Sequence, residues 1–239
     1  LAHWSHEFID SSGLGTSGTD NQSRNLAASL ALQQYFVGFV QKRQVEPDDG
    51  LVSALLQPSE DPLSFPELVS MCVLLLVAGH ETTVNLIGNG VRTLLRHPEQ
   101  WRRLVEDPSL AAGAVEESLR FEPPVQRALF RASRQTVELA GFELSAGEQV
   151  MAAIAAANRD PAVFTDPDRF DITRQPNRHL SFGRGVHFCL GAPLARLEGR
   201  LMFERLAAMA PNLKVVGEDD AWRPSTIFRG LRRFEVVAG

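Results

Sequence analysis

Between Phe182 and Gly191 the chain reads Phe-Gly-Arg-Gly-Val-His-Phe-Cys-Leu-Gly, a stretch that few folds can accommodate. Three glycines around a single cysteine imply a backbone bent tightly against something flat and close. Gly183, Gly185 and Gly191 can take positive φ and put no side chain in the way. Leu190, Leu194, Leu197 and Leu201 then recur at three- and four-residue spacing, which predicts an amphipathic helix. Pro193 suits its first turn, where a missing N–H costs nothing. Cys189 therefore falls at a helix N-terminus, where free amides and the helix dipole favour thiolate over thiol. A thiolate in a glycine-bordered loop is a candidate axial ligand for haem iron.

The 239 residues suffice for one large domain or two small ones. Apolar residues at 44% and charged residues at 22% are those of an ordinary globular protein. A formal charge of −5 leaves no basic footprint for nucleic acid. Two cysteines, Cys72 and Cys189, cannot build a disulfide framework, which points to a reducing cytoplasm. Cys72 lies in an apolar helical pattern and is most simply core. The opening Leu1-Ala2-His3-Trp4 has neither the basic nor the apolar region of a secretory signal. The longest apolar run, Met71 to Ala78, is too short to span a bilayer.

Taken in order, Trp4 to Ile9 suggests the tail of a helix, and Ser11 to Ser23 a Gly/Ser/Thr-rich loop. Leu26, Leu30, Gln33, Val37 and Val40 outline a helix that stops before Pro47. A short helical piece over Gly50 to Gln57 precedes the longest helix. That helix opens on the Ser64–Glu67 capping-box pattern and runs to about Arg96. It is apolar almost all round from Leu68 to Ala78, so it should cross the interior. In its middle sits Ala78-Gly79-His80-Glu81-Thr82-Thr83. The acid and hydroxyls there need partners, or mark where the helix surfaces. A helix-borne zinc motif fails, because position 84 is Val84 and not a second histidine.

Two further helices cover Pro98 to Asp107 and Pro108 to Phe121. Glu117 and Arg120, three apart on the second, share a face. Arg127 to Arg131, Thr136 to Leu139 and Phe142 to Leu144 read as short strands, with Gly141 and Gly147 between them. Gln149 to Asn158 is too Ala-rich to assign. Leu213 to Val216 and Phe234 to Val237 suggest a closing hairpin with a long tip.

Phe-Gly-x-Gly-x-His-x-Cys-x-Gly, specified at six of ten positions from Phe182 to Gly191, resembles the haem-ligand loop of the cytochrome P-450 haem-thiolate monooxygenases. Ala-Gly-x-Glu-Thr from Ala78 resembles the distal-helix signature of the same family. Glu-x-x-Arg at Glu117–Arg120 and Pro-x-Arg-Phe at Pro167–Phe170 follow in the family's order. The resemblance implies a mainly α fold with small β-sheets, a single haem-thiolate domain over 1–239, N-terminally incomplete by about two-fifths. It implies haem b with Cys189 as axial ligand, cradled by Phe182, Gly183, Gly185 and Gly191, with Arg131 and His187 at the propionates. Glu81 would belong to the proton path and Thr82 would hydrogen-bond the bound dioxygen, with Thr83 as the neighbouring alternative. Glu117, Arg120 and Arg169 would form a buried structural group. Leu74, Val77, Ala78, Val125, Leu129 and Ile227 would line an apolar pocket, with Arg127 as a polar anchor.

The function so implied is a monooxygenase inserting one oxygen atom from O2 into a C–H or C=C bond of a lipophilic small molecule. The chain shows no flavin or nicotinamide fingerprint, so electrons would come from a ferredoxin or flavodoxin with its reductase. Arg184, exposed on this reading, would help that donor dock. A haem-binding module or fragment without activity of its own is the alternative. An all-helical scaffold would leave three motifs in family order unexplained.

Overall fold

Prolines, glycines and caps cut the chain into helices close to where the apolar spacing suggests. The computed structural model describes residues 1–11, 19–128, 131–217 and 221–239, which divide into two compact units, Leu1–Thr82 and Thr83–Gly239. In the first unit α1 (Ala2–Ser11) packs along α2 (Thr19–Val45). Arg24 donates to both oxygens of Glu7 at 2.8 and 2.9 Å, and Trp4 meets Tyr35 edge to face. The loop expected over Ser11 to Ser23 is shorter than that. Helix α1 runs through Ser11, and Thr19 to Ser23 already belong to α2, where Asp20 suits the positive end of the helix dipole.

After α3 (Leu51–Leu55), α4 (Phe65–Arg96) is the longest element. Its start is fixed by Glu67, whose carboxylate accepts from the Ser64 amide at 2.8 Å and the Ser64 hydroxyl at 2.6 Å. The core of the first unit joins Phe36 and Val40 of α2 to Leu68, Val69 and Cys72 of α4. Cys72 is core as expected, and burial pushes its thiol pKa up. By length and composition α4 could cross a membrane, with a mean hydropathy of 1.5 over its most apolar window. Its other face argues for a protein interior. Glu81, Asn85, Asn89 and Thr93 form a buried polar stripe at four-residue spacing. Asn89 donates to the carbonyls of Arg229 (2.9 Å) and Glu122 (3.3 Å), partners that lipid would not supply.

The second unit continues with α5 (Pro98–Glu106), a 3₁₀ turn at Pro108–Leu110, and α6 (Ala111–Phe121). Then come β1 (Arg131–Ala132), β2 (Val137–Leu139), β3 (Phe142–Leu144), β4 (Gln149–Val150) and the short α7 (Ile154–Ala157). The last part holds α8 (Ala192–Met209), β5 (Lys214–Val215), β6 (Ala221–Trp222), β7 (Leu231–Arg233) and β8 (Val236–Val237). All sheets are antiparallel pairs: β1 with β4, β2 with β3, β5 with β8, β6 with β7. The β2–β3 hairpin turns through Ala140 and Gly141, both at positive φ (53° and 83°), the twist such a turn needs.

Helix α8 differs from expectation in which face it buries. Its leucine stripe is largely open, with Leu190 85% exposed and Leu194, Leu197 and Leu201 also exposed. The buried face is Ala192, Gly199, Phe203 and Ala207. The reason is distance. A Cβ on Gly199 would stand 3.1 Å from Val115 on α6, so α8 approaches α6 along its smallest residues. On the other side of α6, Gly113 meets the Ile172 carbonyl, where a Cβ would stand only 2.2 Å away.

Candidate functional site

The cysteine loop is wound by its own amides. Gly183 and Gly185 have φ of 70° and 68°, the left-handed conformation that glycine takes without strain. Gly191, by contrast, has an ordinary φ of −82°, so positive φ is not its reason. A Cβ there would lie 3.9 Å from the Cys189 sulfur, an ordinary van der Waals contact, so Gly191 sits directly beside that sulfur. The Cys189 amide donates to the Phe182 carbonyl (2.9 Å) and the Phe188 amide to Gly185 (3.0 Å). Sγ is thereby presented half-buried ahead of α8, among the exposed apolar side chains of Val186, Phe188 and Leu190. His187 and Arg184 are exposed on the same loop.

Two charged groups hold this loop from behind. Glu117 and Arg120, both fully buried, form a bidentate pair at 2.8 Å for each bond. Arg120 also donates to the carbonyls of Asn158, Pro167 and Arg169. Glu117 accepts further from the Asp171 amide (2.9 Å), Asn177 (3.0 Å) and Arg174 (3.2 Å). Here the sequence expectation needs correcting: the second guanidinium on Glu117 is that of Arg174, not Arg169. The Arg169 side chain is 64% exposed and pairs with Asp171, and only its carbonyl enters the network. Asn158 extends the network toward the cysteine, accepting from the Leu180 amide (2.7 Å) and donating to Ser181 Oγ (2.9 Å).

The second anchor is Glu116, which takes Arg196 of α8 at 2.7 and 3.0 Å and His179 at 3.1 Å. Burial alone would raise the Glu116 pKa, but hydrogen bonds from His179 and Arg196, with the Arg196 charge, bring it down from 4.5 to about 2. Arg196 in turn covers the Phe182 ring at 4.5 Å. Its own pKa is raised, chiefly by the Glu116 hydrogen bond and in smaller part by the charge of Cys189. Arg174, Asn158 and the Glu116–His179–Arg196 group escaped the sequence reading. All lie in irregular segments or on different elements, where periodicity carries no signal.

Elsewhere in the second unit, Arg131 is exposed on β1, opposite Val150. Val125 bridges Phe228, and the Gln126 amide donates to the Ile227 carbonyl at 2.8 Å, so the backbone at Val125–Gln126 runs antiparallel to that at Ile227–Phe228. Arg127 borders a neighbouring cleft of about 210 Å³ with Arg223, Thr226 and Arg229. Leu129 lies outside the described residues. In the first unit Val77 is buried whereas Leu74 and Ala78 are exposed. The Thr82 hydroxyl donates within the helix to the Ala78 carbonyl at 2.6 Å, and Glu81 is buried beside His80 and His6.

Comparison with known proteins shows that this mainly helical chain, with its paired short strands and a cysteine loop ahead of a helix, has the cytochrome P450 fold. The family model described as Cytochrome P450 matches residues 108–207. A vitamin D(3) 25-hydroxylase of Pseudonocardia autotrophica is 48% identical over 99% of this chain and 58% of its own length. A biotin biosynthesis cytochrome P450 of Bacillus subtilis is 43% identical over 99% of this chain and 60% of its own length. The crystal structure of P450BioI with an acyl carrier protein bearing hexadec-9Z-enoic acid superimposes with a TM-score of 0.94. Its identity is 41%, covering 99% of this chain and 61% of that one. The chain belongs to the cytochrome P450 family, and spans about three-fifths of the length of these relatives.

Members of that family bind haem b through a cysteine thiolate. The residues present fit such a group. The loop offers one soft sulfur that belongs to no cluster of three metal-ligating side chains among the described residues, beside the exposed apolar side chains of Val186, Phe188 and Leu190. A structural zinc would require four such donors, whereas haem iron requires one on this side.

Proposed function

We propose that the chain serves as a haem-thiolate monooxygenase, inserting one oxygen atom from O2 into a C–H or C=C bond of a lipophilic small molecule. The observation that carries this reading is the half-buried Cys189 sulfur in a loop tied to α6 through the fully buried Glu117 and the partly buried Glu116. On this reading Cys189 would hold the iron, and Phe182, Gly183, Gly185 and Gly191 would contribute to the haem-binding surface. Haem so held supplies reductive activation of dioxygen. Arg131 and His187 are assigned to the propionates, Arg131 as a cation and His187 as a hydrogen-bond donor. Glu117, Arg120 and Arg174 keep the loop in place and take no part in chemistry.

Glu81 and Thr82 are assigned to proton movement. A buried carboxylate between two imidazoles can take a proton from the exposed side and pass it along α4. The Thr82 hydroxyl, now donating to Ala78, would rotate to receive it. Leu74, Val77, Ala78, Val125 and Ile227 are assigned to the substrate pocket, with Arg127 as a polar anchor. The vitamin D(3) 25-hydroxylase relative is consistent with a lipophilic substrate. Electrons would come from a ferredoxin or flavodoxin with its reductase, in the cytoplasm, the whole chain acting as one domain.

Turnover of a lipophilic panel under ¹⁸O₂, with a surrogate ferredoxin and reductase, tests this. Product carrying one labelled oxygen is expected. Haem-bound protein that consumes electrons and yields only peroxide would support a haem-binding module without monooxygenase activity. The Thr82 hydroxyl's bond to Ala78 is the one observation in favour of that second reading.

A further inference from the structure

Within the first unit, α1 and α4 aim two imidazoles at one carboxylate oxygen. His6 Nε2 lies 2.9 Å and His80 Nδ1 3.2 Å from Glu81 Oε1. The three ligand atoms lie within 4.8 Å of one another, and the two rings stack at 5.6 Å. Glu81 is fully buried, whereas the His6 and His80 side chains are 37% and 34% exposed, so the cluster opens to solvent on its imidazole side. The two nitrogens themselves are shielded, and neither makes a hydrogen bond of good geometry among the described residues. Two nitrogens held close to one oxygen without good hydrogen-bond geometry are better satisfied by a cation among them.

Metal geometry fits the spacing. With bonds of about 2.0–2.1 Å, the edge of a tetrahedral zinc site is roughly 3.3 Å. Two of the three separations are already near that edge. The third closes with an adjustment of at most about 1.5 Å. Two neutral imidazoles and a carboxylate are a donor set that zinc accepts, and the solvent side leaves a fourth position for water. The motif is invisible along the chain. Position 84 on α4 is Val84, and the second histidine comes from α1 instead.

We propose that His6, His80 and Glu81 form a zinc-binding site that clamps α1 to α4. The consequence for catalysis rests on the role proposed for Glu81: a carboxylate committed to a divalent cation cannot move a proton, so zinc inhibits turnover.

The test is titration of the full chain with Zn²⁺ against a chromophoric chelator. One equivalent is expected to bind, and His6→Ala and His80→Ala should each weaken it about tenfold or more. His3→Ala, also on α1 but outside the cluster, should bind as before. Should the variants fail to fold, the unaltered chain still decides. Zinc should protect His6 and His80 from diethyl pyrocarbonate, as mapped by mass spectrometry. Equal affinity in both alanine variants, no binding, or equal modification with and without zinc would overturn the site. Zinc that binds through these residues yet leaves turnover intact would uphold the site and remove Glu81 from the proton path.

Discussion

Glu117 accepts from Arg120, Arg174, Asn177 and the Asp171 amide while fully buried, so its loss would strand a guanidinium in the interior. Glu117→Gln should destabilise the chain by about 3–5 kcal/mol, read by urea denaturation. Arg174 and Arg169 separate the observed network from the expected one. Arg174→Ala removes a side chain only 11% exposed that bonds three carbonyls, and should cost about 2–3 kcal/mol. Arg169→Ala removes an exposed pair and should fall within about 0.5 kcal/mol. The Glu117–Arg120 spacing was legible because i,i+3 neighbours share a helix face. The Arg174 contact was not, since it joins α6 to an irregular segment far along the chain. Glu116 adds a pH dependence. Its folded pKa is depressed from 4.5 to about 2, so its contribution is complete above pH 4.5 and lost as pH falls toward 2. The size is at most roughly 3 kcal/mol. Thermal unfolding from pH 6 to 2 should show the extra acid loss, and Glu116→Gln should flatten it.

Elements followed the sequence where local chemistry decides them. The Ser64–Glu67 cap fixes the start of α4 and Pro98 bounds its end, and both were readable. Which face of α8 meets the core was not, because small residues at Gly199 and Ala207 carry no hydrophobic signal. That face is chosen by how near α6 comes, a property of the assembled pair. Gly113 gives the sharpest check of this closeness. Gly113→Ala would ordinarily strengthen a helix by about 1 kcal/mol. Here its Cβ would meet the Ile172 backbone oxygen at 2.2 Å, and backbone cannot turn aside. A net loss of about 2 kcal/mol or more is expected by denaturant titration. A gain would mean that α6 and the Ile172 segment are not in contact.

At the scale of the molecule, the same pair of anchors explains why a loop so rich in glycine can present a sulfur in one place. Glycine permits the bend at Gly183 and Gly185, but does not choose it over others. The choice is made by Asn158 on Leu180 and Ser181, and by Arg196 over Phe182, each fixed in turn by α6. The motif was therefore legible and its support was not. The absorption spectrum of the reduced, carbon monoxide-bound chain, supplied with haem, tests this most directly when compared with Cys189→Ser. A strongly red-shifted Soret band in the unaltered chain, lost in the variant, is the predicted result. The same red-shifted band in both proteins would mean that Cys189 does not hold the iron.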